Sequence, residues 1–390
     1  MTLPETIRRT TGEFTGRSPA APRMRRHRNV TAAHPSRLGR VVPIGRQLAD
    51  RFCSGVSRTP HSDEWCGPVV FPTMPALPGD RDVYPGRAID GEDRTSMADE
   101  LMAGELTVDG RVRTFGVRAP GVEGAPLVLA LHGNASRMPS EQRRPGLLMD
   151  QWTSFGEHAA DWGIAVVYPD GWDRCWADGR GVTLADEAGV DDVAFLRELI
   201  HWCAAEFGTR PEWSIPAGIS NGAFMAHRLG LELSDLVPAF GAVAGGLPVA
   251  LEHIEPTHAV SALLINGTAD EAVPITGGYS RRRGPGGELR GRTLGLTESA
   301  AWWQTADRCA GEGTTVTTDR SSRHTVEGGV GGSRVTAWTV FDGGHTWPGR
   351  PTPPEWSNGP NTVTSTEFDA AEQIYRFARA VLVPADARKL

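Results

Sequence analysis

The sequence predicts an α/β fold with a mostly parallel central sheet and helices on both of its faces. Two observations lead to this prediction. Short, continuously apolar runs suit strands that are buried on both faces, and amphipathic helical segments alternate with those runs along the chain. Because neighbouring parallel strands need a crossover connection, which is usually a helix, repeated strand–helix units indicate this architecture.

The elements can be assigned in order from residue 105. Residues 106–110 and 112–117 are predicted to form two strands around a hairpin turn at Asp109-Gly110. Further strands are predicted at 126–131, 163–168, 213–219, 237–243, 261–266 and 335–341. Helices are predicted at 151–162, 191–207, 221–231, 297–307 and 365–382. Asp191-Asp192 is interpreted as the acidic cap of the second helix.

The part of the chain before residue 105 differs in composition from the rest. Residues 1–96 contain 15 arginines, no lysine and 10 acidic residues, whereas the whole chain of 390 residues has a formal net charge of −7. This stretch has no sustained helical or strand period and cannot bury enough apolar surface to offset its ordering entropy. We therefore predict a disordered Arg/Pro-rich N-terminal extension over residues 1–104 and one folded domain over residues 105–390.

Charge and hydropathy exclude several classes of protein. The acidic balance argues against a uniformly basic nucleic-acid-binding protein, and no apolar run reaches the ~20 residues that a membrane span needs. Neither Arg8-Arg9 nor Arg25-Arg26 precedes the apolar stretch of an export signal, which favours a cytoplasmic location. The five cysteines are odd in number and irregularly spaced, so no disulfide scaffold is predicted.

The strongest chemical signal is the G-x-S-x-G motif at residues 218–222, between a predicted strand and a predicted helix. In such a turn the glycines leave room for neighbouring backbone, and the Ser220 hydroxyl is aimed over the sheet at the start of the helix. Ser220 is therefore predicted to be a catalytic nucleophile. The structural alternative is a glycine-rich turn with an N-capping serine.

A serine nucleophile needs a base that is held by an acid, and two later strand ends supply candidates. Asp270 follows the strand at 261–266, and His345 follows the strand at 335–341. The carboxyl ends of parallel strands build the sites of open α/β sheets, so the two side chains are expected to meet. Glu271 and Asp342 are rival acids, but Asp342 precedes the histidine too closely to reach its far nitrogen easily.

An oxyanion hole should complete the site. One donor is predicted to be the backbone N–H of Asn221, directly after the nucleophile. The second is predicted to come from the loop at residues 131–135, where Asn134 is preferred and Ala135 is the alternative. His132 in the same loop is interpreted as a structural residue that bonds to nearby backbone.

These motifs, taken together, resemble those of polyhydroxybutyrate depolymerases and the related feruloyl and acetylxylan esterases, within the α/β-hydrolase superfamily. The resemblance extends from about residue 106 to residue 382. It rests on the segments TVDGRVRTF (107–115), LHG (131–133), YPDG (168–171), WADGRG (176–181), VDDVAF (190–195), GISNG (218–222), GTAD (267–270) and GGHTWPG (343–349).

The resemblance implies an α/β-hydrolase catalytic domain that hydrolyses carboxylic esters through an acyl-serine intermediate, without a metal or cofactor. Ser220 would be the nucleophile, Asp270 the orienting acid and His345 the general base. Trp176 and Trp347 would lie near the cleft and bind substrate, or else simply pack in the core. The partner would be a small-molecule or oligomeric ester, with no nucleic acid and no membrane span expected. Members of the resembling family are mostly extracellular, so the resemblance implies export where the missing export signal favours the cytoplasm, and the location is left open.

Three features bear on the substrate and on the alternatives. Residues 277–295 carry five arginines and follow a catalytic strand end, so they are expected either to overhang the cleft and favour an anionic substrate or to form a solvated loop. No lipase-like lid or polymer-binding domain is evident, which favours soluble esters or oligomers.

The alternatives to an esterase are a serine peptidase of the same superfamily and a non-catalytic binding protein with a basic tail.

Overall fold

The computed structural model describes residues 100–137, 144–279, 283, 286–289, 291–352 and 362–382. The extension predicted to be disordered lies outside these residues up to position 99. The first strand begins at Met102, so the folded part starts slightly before the predicted boundary at 105. Among the described cysteines, Cys175, Cys203 and Cys309 are free thiols.

The strands form one large sheet and one small hairpin. In chain order they are β1 (Met102–Val108), β2 (Arg111–Arg118), β3 (Leu127–Leu131), β4 (Ala165–Pro169), β5 (Ser214–Ile219), β6 (Ala239–Val243), β7 (Ser261–Gly267), β8 (Gly278–Tyr279), β9 (Arg292–Thr293), β10 (Thr314–Thr317), β11 (Ser321–Val326) and β12 (Val335–Val340). The large sheet has the order β1-β2-β4-β3-β5-β6-β7-β12-β11-β10, and β8 pairs with β9 alone. The six strands from β4 to β12 in that order are mutually parallel, while β1, β2, β10 and β11 are antiparallel to their neighbours.

Helices cover both faces of the sheet. They are α1 (Pro145–Trp152), α2 (Phe155–Trp162), α3 (Leu184–Glu187), α4 (Asp192–Phe207), α5 (Asn221–Glu232), α6 (Leu296–Ala306) and α7 (Ala370–Leu382). The apolar faces of α4, α5 and α6 join one core cluster, and those of α1, α2 and α7 join a second on the opposite side of the sheet. Alternate residues of β3 enter alternate clusters, as a strand buried on both faces requires. The predicted α/β-hydrolase architecture is thus confirmed.

The helix predicted at 151–162 is in fact two helices. Thr153 adopts extended backbone between α1 and α2, and its hydroxyl donates a hydrogen bond to the Met149 carbonyl at 2.7 Å. The Ser154 hydroxyl donates to the Asp369 carboxylate at 2.8 Å. Such local and long-range side-chain bonds compete with helix continuation, which explains the break. Within the described residues every helix is too short or too polar to span a lipid bilayer.

The acidic pair at the start of α4 has two different roles. Asp191 caps the helix as predicted, because its carboxylate accepts the Ala194 N–H at 2.9 Å. Asp192 is fully buried, where it pairs with Arg113 at 2.5 Å and accepts the Ala177 N–H at 2.7 Å. A buried carboxylate is tolerated only when it is paired and hydrogen-bonded in this way. Asp192 therefore anchors the segment after β4 to the sheet, a role beyond the predicted cap.

Asp307, which ends α6, should make stability depend on pH. Its carboxylate accepts the Val260 N–H at 2.9 Å, and burial raises its pKa to about 6 from a reference value of 3.8. A raised pKa means that the folded state holds the proton more tightly than the unfolded state does, so protonation of Asp307 stabilises the fold. This stabilisation is fully present below about pH 4 and is lost as pH rises through 6. We expect Asp307→Asn to raise the free energy of unfolding by about 1 to 2 kcal/mol at pH 8, after allowance for partial solvent screening, and by much less at pH 4.

Denaturant unfolding at the two pH values measures this difference. Asp319→Asn, at an exposed position, is the matched control and should change stability equally at both. An Asp307→Asn effect that is independent of pH would contradict the prediction.

Candidate active site

A reversal in strand order positions the site. The chain leaves β3 for β4 on one side and leaves β5 for β6 on the other, so the connections after β3 and β5 diverge at neighbouring strands. In open α/β sheets, crevices for ligands form at the carboxyl ends of strands at such a point. The carboxyl ends of β3, β5, β7 and β12 are followed by Asn134, Ser220, Asp270 and His345, respectively. The four sequence motifs therefore reach the same edge of the sheet.

Ser220 occupies a strained turn between β5 and α5. Its backbone has φ of 57° and ψ of −117°, a conformation that is rare for a residue with a side chain. A Cβ atom on Gly218 would overlap the Gly222 carbonyl, and one on Gly222 would overlap the Leu131 carbonyl. The turn is held by the Ser220 N–H, which donates to the Val243 carbonyl at 2.9 Å. These contacts give the glycines of the motif the steric role that their spacing predicts.

Asp270 and His345 form a direct pair. The imidazole Nδ1 lies 2.7 Å from Asp270 Oδ2, and the carboxylate is fully buried while the His345 side chain is 14% exposed. The other carboxylate oxygen, Oδ1, accepts the N–H groups of Ala272 and Val273, each at 2.8 Å. Burial and three donors fix the carboxylate in one orientation, so that it can hold the imidazole with its Nε2 free.

The two rival acids are placed differently. Glu271 and Asp342 are both exposed, and the Asp342 backbone N–H donates to the Thr268 hydroxyl at 2.8 Å. Of the three carboxylates considered from the sequence, Asp270 is the one in contact with His345.

The Ser220 hydroxyl makes no hydrogen bond to His345 in the described part of the chain. The structure therefore joins the acid to the base directly and places the serine at the same edge of the sheet. Contacts between a nucleophile and its base are often long without substrate and shorten in the reacting complex.

The loop after β3 offers one backbone donor that is already engaged and one that is not. The Ala135 N–H donates to the Arg174 carbonyl at 2.9 Å. The Asn134 side chain oxygen accepts from the Ser136 N–H at 3.0 Å and from the Ser136 hydroxyl at 2.7 Å. The backbone N–H of Asn134 makes no hydrogen bond among the described residues. Of the two alternatives, the geometry thus favours Asn134. The Asn221 N–H lies in the first turn of α5, where backbone donors have no partner within the helix.

The side chain of Asn221 ties the nucleophile turn to the loop after β4. Its carbonyl oxygen accepts the Trp176 N–H at 2.8 Å, and its amide nitrogen donates to the Trp176 carbonyl at 3.1 Å and to Asp178 Oδ2 at 2.5 Å. Asp178 is in turn paired with Arg180 at 2.6 Å, and both side chains are buried. Sequence reasoning missed this network, although it used the segment at 176–181 as a motif. Satisfied buried networks of this kind make a local structure rigid.

Trp176 and Trp347 are both fully buried, in contrast to the expectation that they line the cleft. The Trp176 indole N–H donates to the His132 carbonyl at 2.9 Å, and the Trp347 ring packs edge-on against Phe155 with centroids 6.2 Å apart. Neither ring has free surface on which a substrate could stack. The structure therefore favours the packing alternative for both residues.

His132 holds two loops of the site together. Its Nδ1–H donates to the Gly133 carbonyl at 2.7 Å, and its Nε2 accepts the Gly171 N–H at 2.9 Å. Burial lowers the pKa of this imidazole to about 4, so it stays neutral near pH 7 and keeps both bonds. The predicted structural role of His132 is confirmed.

Comparison with known proteins identifies a relative whose name describes an esterase. No family model matches the chain. The protein named "Putative esterase NocK", from Nocardia uniformis subsp. tsuyamanensis, is 30% identical over 302 residues, which covers 72% of this chain and 84% of that protein.

Solved structures of several esterases are similar at lower levels. An acetyl xylan esterase from Aspergillus awamori has 13% identity and a TM-score of 0.43, covering 63% of this chain and 94% of its own. The S-formylglutathione hydrolase FrmB from Staphylococcus aureus has 15% identity and a TM-score of 0.35, covering 44% of this chain and 78% of its own. A ferulic acid esterase has 14% identity and a TM-score of 0.32, covering 44% of this chain and 80% of its own. These values are too low to transfer a substrate.

Proposed function

Because this chain belongs to the esterases of the α/β-hydrolase kind, in the same family as NocK, we propose that it hydrolyses carboxylic esters through an acyl-serine intermediate on Ser220. The observation that carries the mechanism is the buried Asp270 carboxylate, which lies 2.7 Å from Nδ1 of a His345 at the same sheet edge as the strained serine turn. Each residue of this constellation has a role that its chemistry suits.

In the first half of the proposed reaction, Ser220 Oγ attacks the ester carbonyl carbon while His345 Nε2 takes the hydroxyl proton. Asp270 keeps the imidazole oriented and stabilises the imidazolium that forms. The N–H groups of Asn221 and Asn134 donate to the oxygen that becomes negative. The tetrahedral intermediate then collapses, the bond to the alcohol oxygen breaks, and His345 returns its proton to the departing alcohol.

In the second half, a water molecule attacks the acyl-serine carbonyl carbon and gives its proton to His345. Collapse of this second intermediate breaks the bond to Ser220, which recovers its proton from the imidazolium. The products are one carboxylic acid and one alcohol, and the enzyme returns to its starting state.

For the substrate, we propose soluble esters of short acyl groups. The motifs shared with polyhydroxybutyrate depolymerases and feruloyl or acetylxylan esterases favour 3-hydroxybutyrate oligomers, feruloyl esters or acetyl esters. Initial rates with methyl ferulate, p-nitrophenyl butyrate, acetylated xylan and 3-hydroxybutyrate oligomers would rank these classes.

The proposal predicts a strong preference for esters over amides. We expect kcat/KM for p-nitrophenyl acetate to exceed that for an N-acyl amino-acid p-nitroanilide by at least about 100-fold. The anilide is the poorer acyl donor, and an esterase would lack the subsites with which a peptidase binds the amino-acid part of the anilide. A fluorophosphonate probe should add to Ser220, as located by mass spectrometry of the digested protein. Faster anilide cleavage would favour the peptidase alternative, and absence of both labelling and turnover would favour the binding protein.

A further inference from the structure

The segment that follows Asp270 has a charge opposite to that of the chain as a whole. Residues 277–295 contain five arginines and one glutamate in a protein of net charge −7. The described part of the segment is an antiparallel hairpin, in which β8 pairs with β9 and Arg283 forms a further bridge with Leu289. Arg281, Arg282 and Arg290 lie outside the described residues, and nothing below depends on them.

Contacts at both ends place this hairpin at the edge of the sheet that carries Ser220. At its base, the Leu294 N–H donates to the Leu247 carbonyl at 2.8 Å, in the loop after β6. Further out, the Arg137 guanidinium donates to the Arg283 carbonyl at 2.8 Å, and Arg137 belongs to the loop after β3. Because β5 lies between β3 and β6, a hairpin that touches both loops lies at the same edge of the sheet as the end of β5, where Ser220 is located.

The arginines of this region are not neutralised by acids. Arg137, Arg283 and Arg292 are exposed, and none of them forms an ion pair within the part of the chain that the structure describes. The nearby carboxylates are already engaged, since Asp178 pairs with Arg180 and Asp270 pairs with His345. Glu271 and Glu288 are the exposed acids of the same connection. Among these described side chains, three exposed arginines outnumber two exposed acids, so the loops at the edge of the sheet that carries Ser220 keep an excess of positive charge.

We propose that Arg137, Arg283 and Arg292 select esters that carry a second, ionised carboxylate in the acid or alcohol part. This inference rests on the proposed function, and it adds a class of substrate to it. A guanidinium presents paired N–H donors that match the two oxygens of a carboxylate. The ester carbonyl would lie at Ser220 while the distant carboxylate reaches the exposed guanidinium groups of these arginines. At exposed sites the attraction is weakened by salt, so the selectivity should fall as ionic strength rises.

The test compares two esters of matched chain length, the monoanion of monoethyl adipate and the neutral ethyl hexanoate, in a pH-stat at pH 7.5. For the wild-type protein at low ionic strength, we expect kcat/KM to be at least about 5-fold higher for the anionic ester, with the ratio approaching 1 in 0.5 M salt. The double variant Arg283→Gln/Arg292→Gln should bring the ratio near 1 at low salt, while kcat/KM for ethyl hexanoate changes by less than about 2-fold.

Arg379→Gln is the matched control. Arg379 is exposed in the last turn of α7, and the neighbouring Ala380 carbonyl accepts a bond from Arg334, which precedes β12 at the opposite edge of the sheet. This variant should keep the wild-type ratio. Equal kcat/KM for the two esters in the wild-type protein, or an unchanged ratio in the double variant, would overturn the inference. Hydrolysis of neither ester would instead contradict the proposed function itself, so the two failures can be told apart.

Discussion

Replacing Ser220 with Ala is expected to lower kcat/KM for a simple ester by at least about 10⁴-fold. The variant loses the atom that forms the acyl intermediate, and only the oxyanion donors and substrate binding would remain to accelerate hydrolysis. The melting temperature should change little, because the hydroxyl makes no hydrogen bond among the described residues. The backbone bonds that hold the turn, from the Ser220 N–H to Val243 and from the Phe224 N–H to Ser220, are kept.

The measurement is steady-state hydrolysis of p-nitrophenyl acetate beside a thermal unfolding curve. Ser322→Ala, on β11 away from the loops of the site, is a control for the loss of a serine hydroxyl, and it should retain most of the activity. Hydrolysis by Ser220→Ala at the wild-type rate would remove Ser220 from the mechanism.

Replacing Asp270 with Asn is expected to lower kcat by roughly 10³ to 10⁴-fold. The N–H groups of Ala272 and Val273 require an acceptor, so the amide oxygen should occupy the position of Oδ1. The amide nitrogen then faces Nδ1 of His345 and donates to it. That arrangement selects the imidazole tautomer protonated on Nε2, which cannot take the proton from a serine hydroxyl.

Asp342→Asn is the control for this variant. Asp342 follows the strand that leads to His345, but it is exposed and has a φ of 55°, a conformation that asparagine tolerates well. Its activity should stay within about 2-fold of the wild type. If Asp270→Asn kept more than a tenth of the wild-type kcat, the orienting acid would have to be sought elsewhere.

The parallel strands were the most predictable part of the fold. Strands such as β3, β4 and β7 are buried on both faces, and continuous apolar runs in the sequence show this directly. The hairpin of β10 and β11 was not predicted. Its strands are built largely from Thr, Ser, Arg and His, and β10 is exposed along its whole length, so they lack an apolar pattern. They are strands because β11 pairs with β12.

The candidate site was likewise predictable from the sequence only in part. Ser220, Asp270 and His345 could be chosen from the sequence, because a special turn or a strand end marks each of them and the topology of parallel sheets brings strand ends together. The preference for Asp270 over Asp342 rested on the short reach from Asp342 to the histidine, and the contact between Asp270 and His345 agrees with it. Glu271 could be set aside only from the structure, where it is exposed.

Local patterns, namely apolar periods, a glycine-flanked serine and polar residues at strand ends, were sufficient for the fold class and for the three predicted catalytic positions. They could not show that Trp176 and Trp347 are buried, that Asp192 pairs with Arg113, or that Asn221 binds Asp178. These contacts join segments far apart in the chain, and their burial depends on how loops pack after the sheet has formed. A residue type limits which bonds a side chain can make, but only the tertiary structure decides which partner comes within reach.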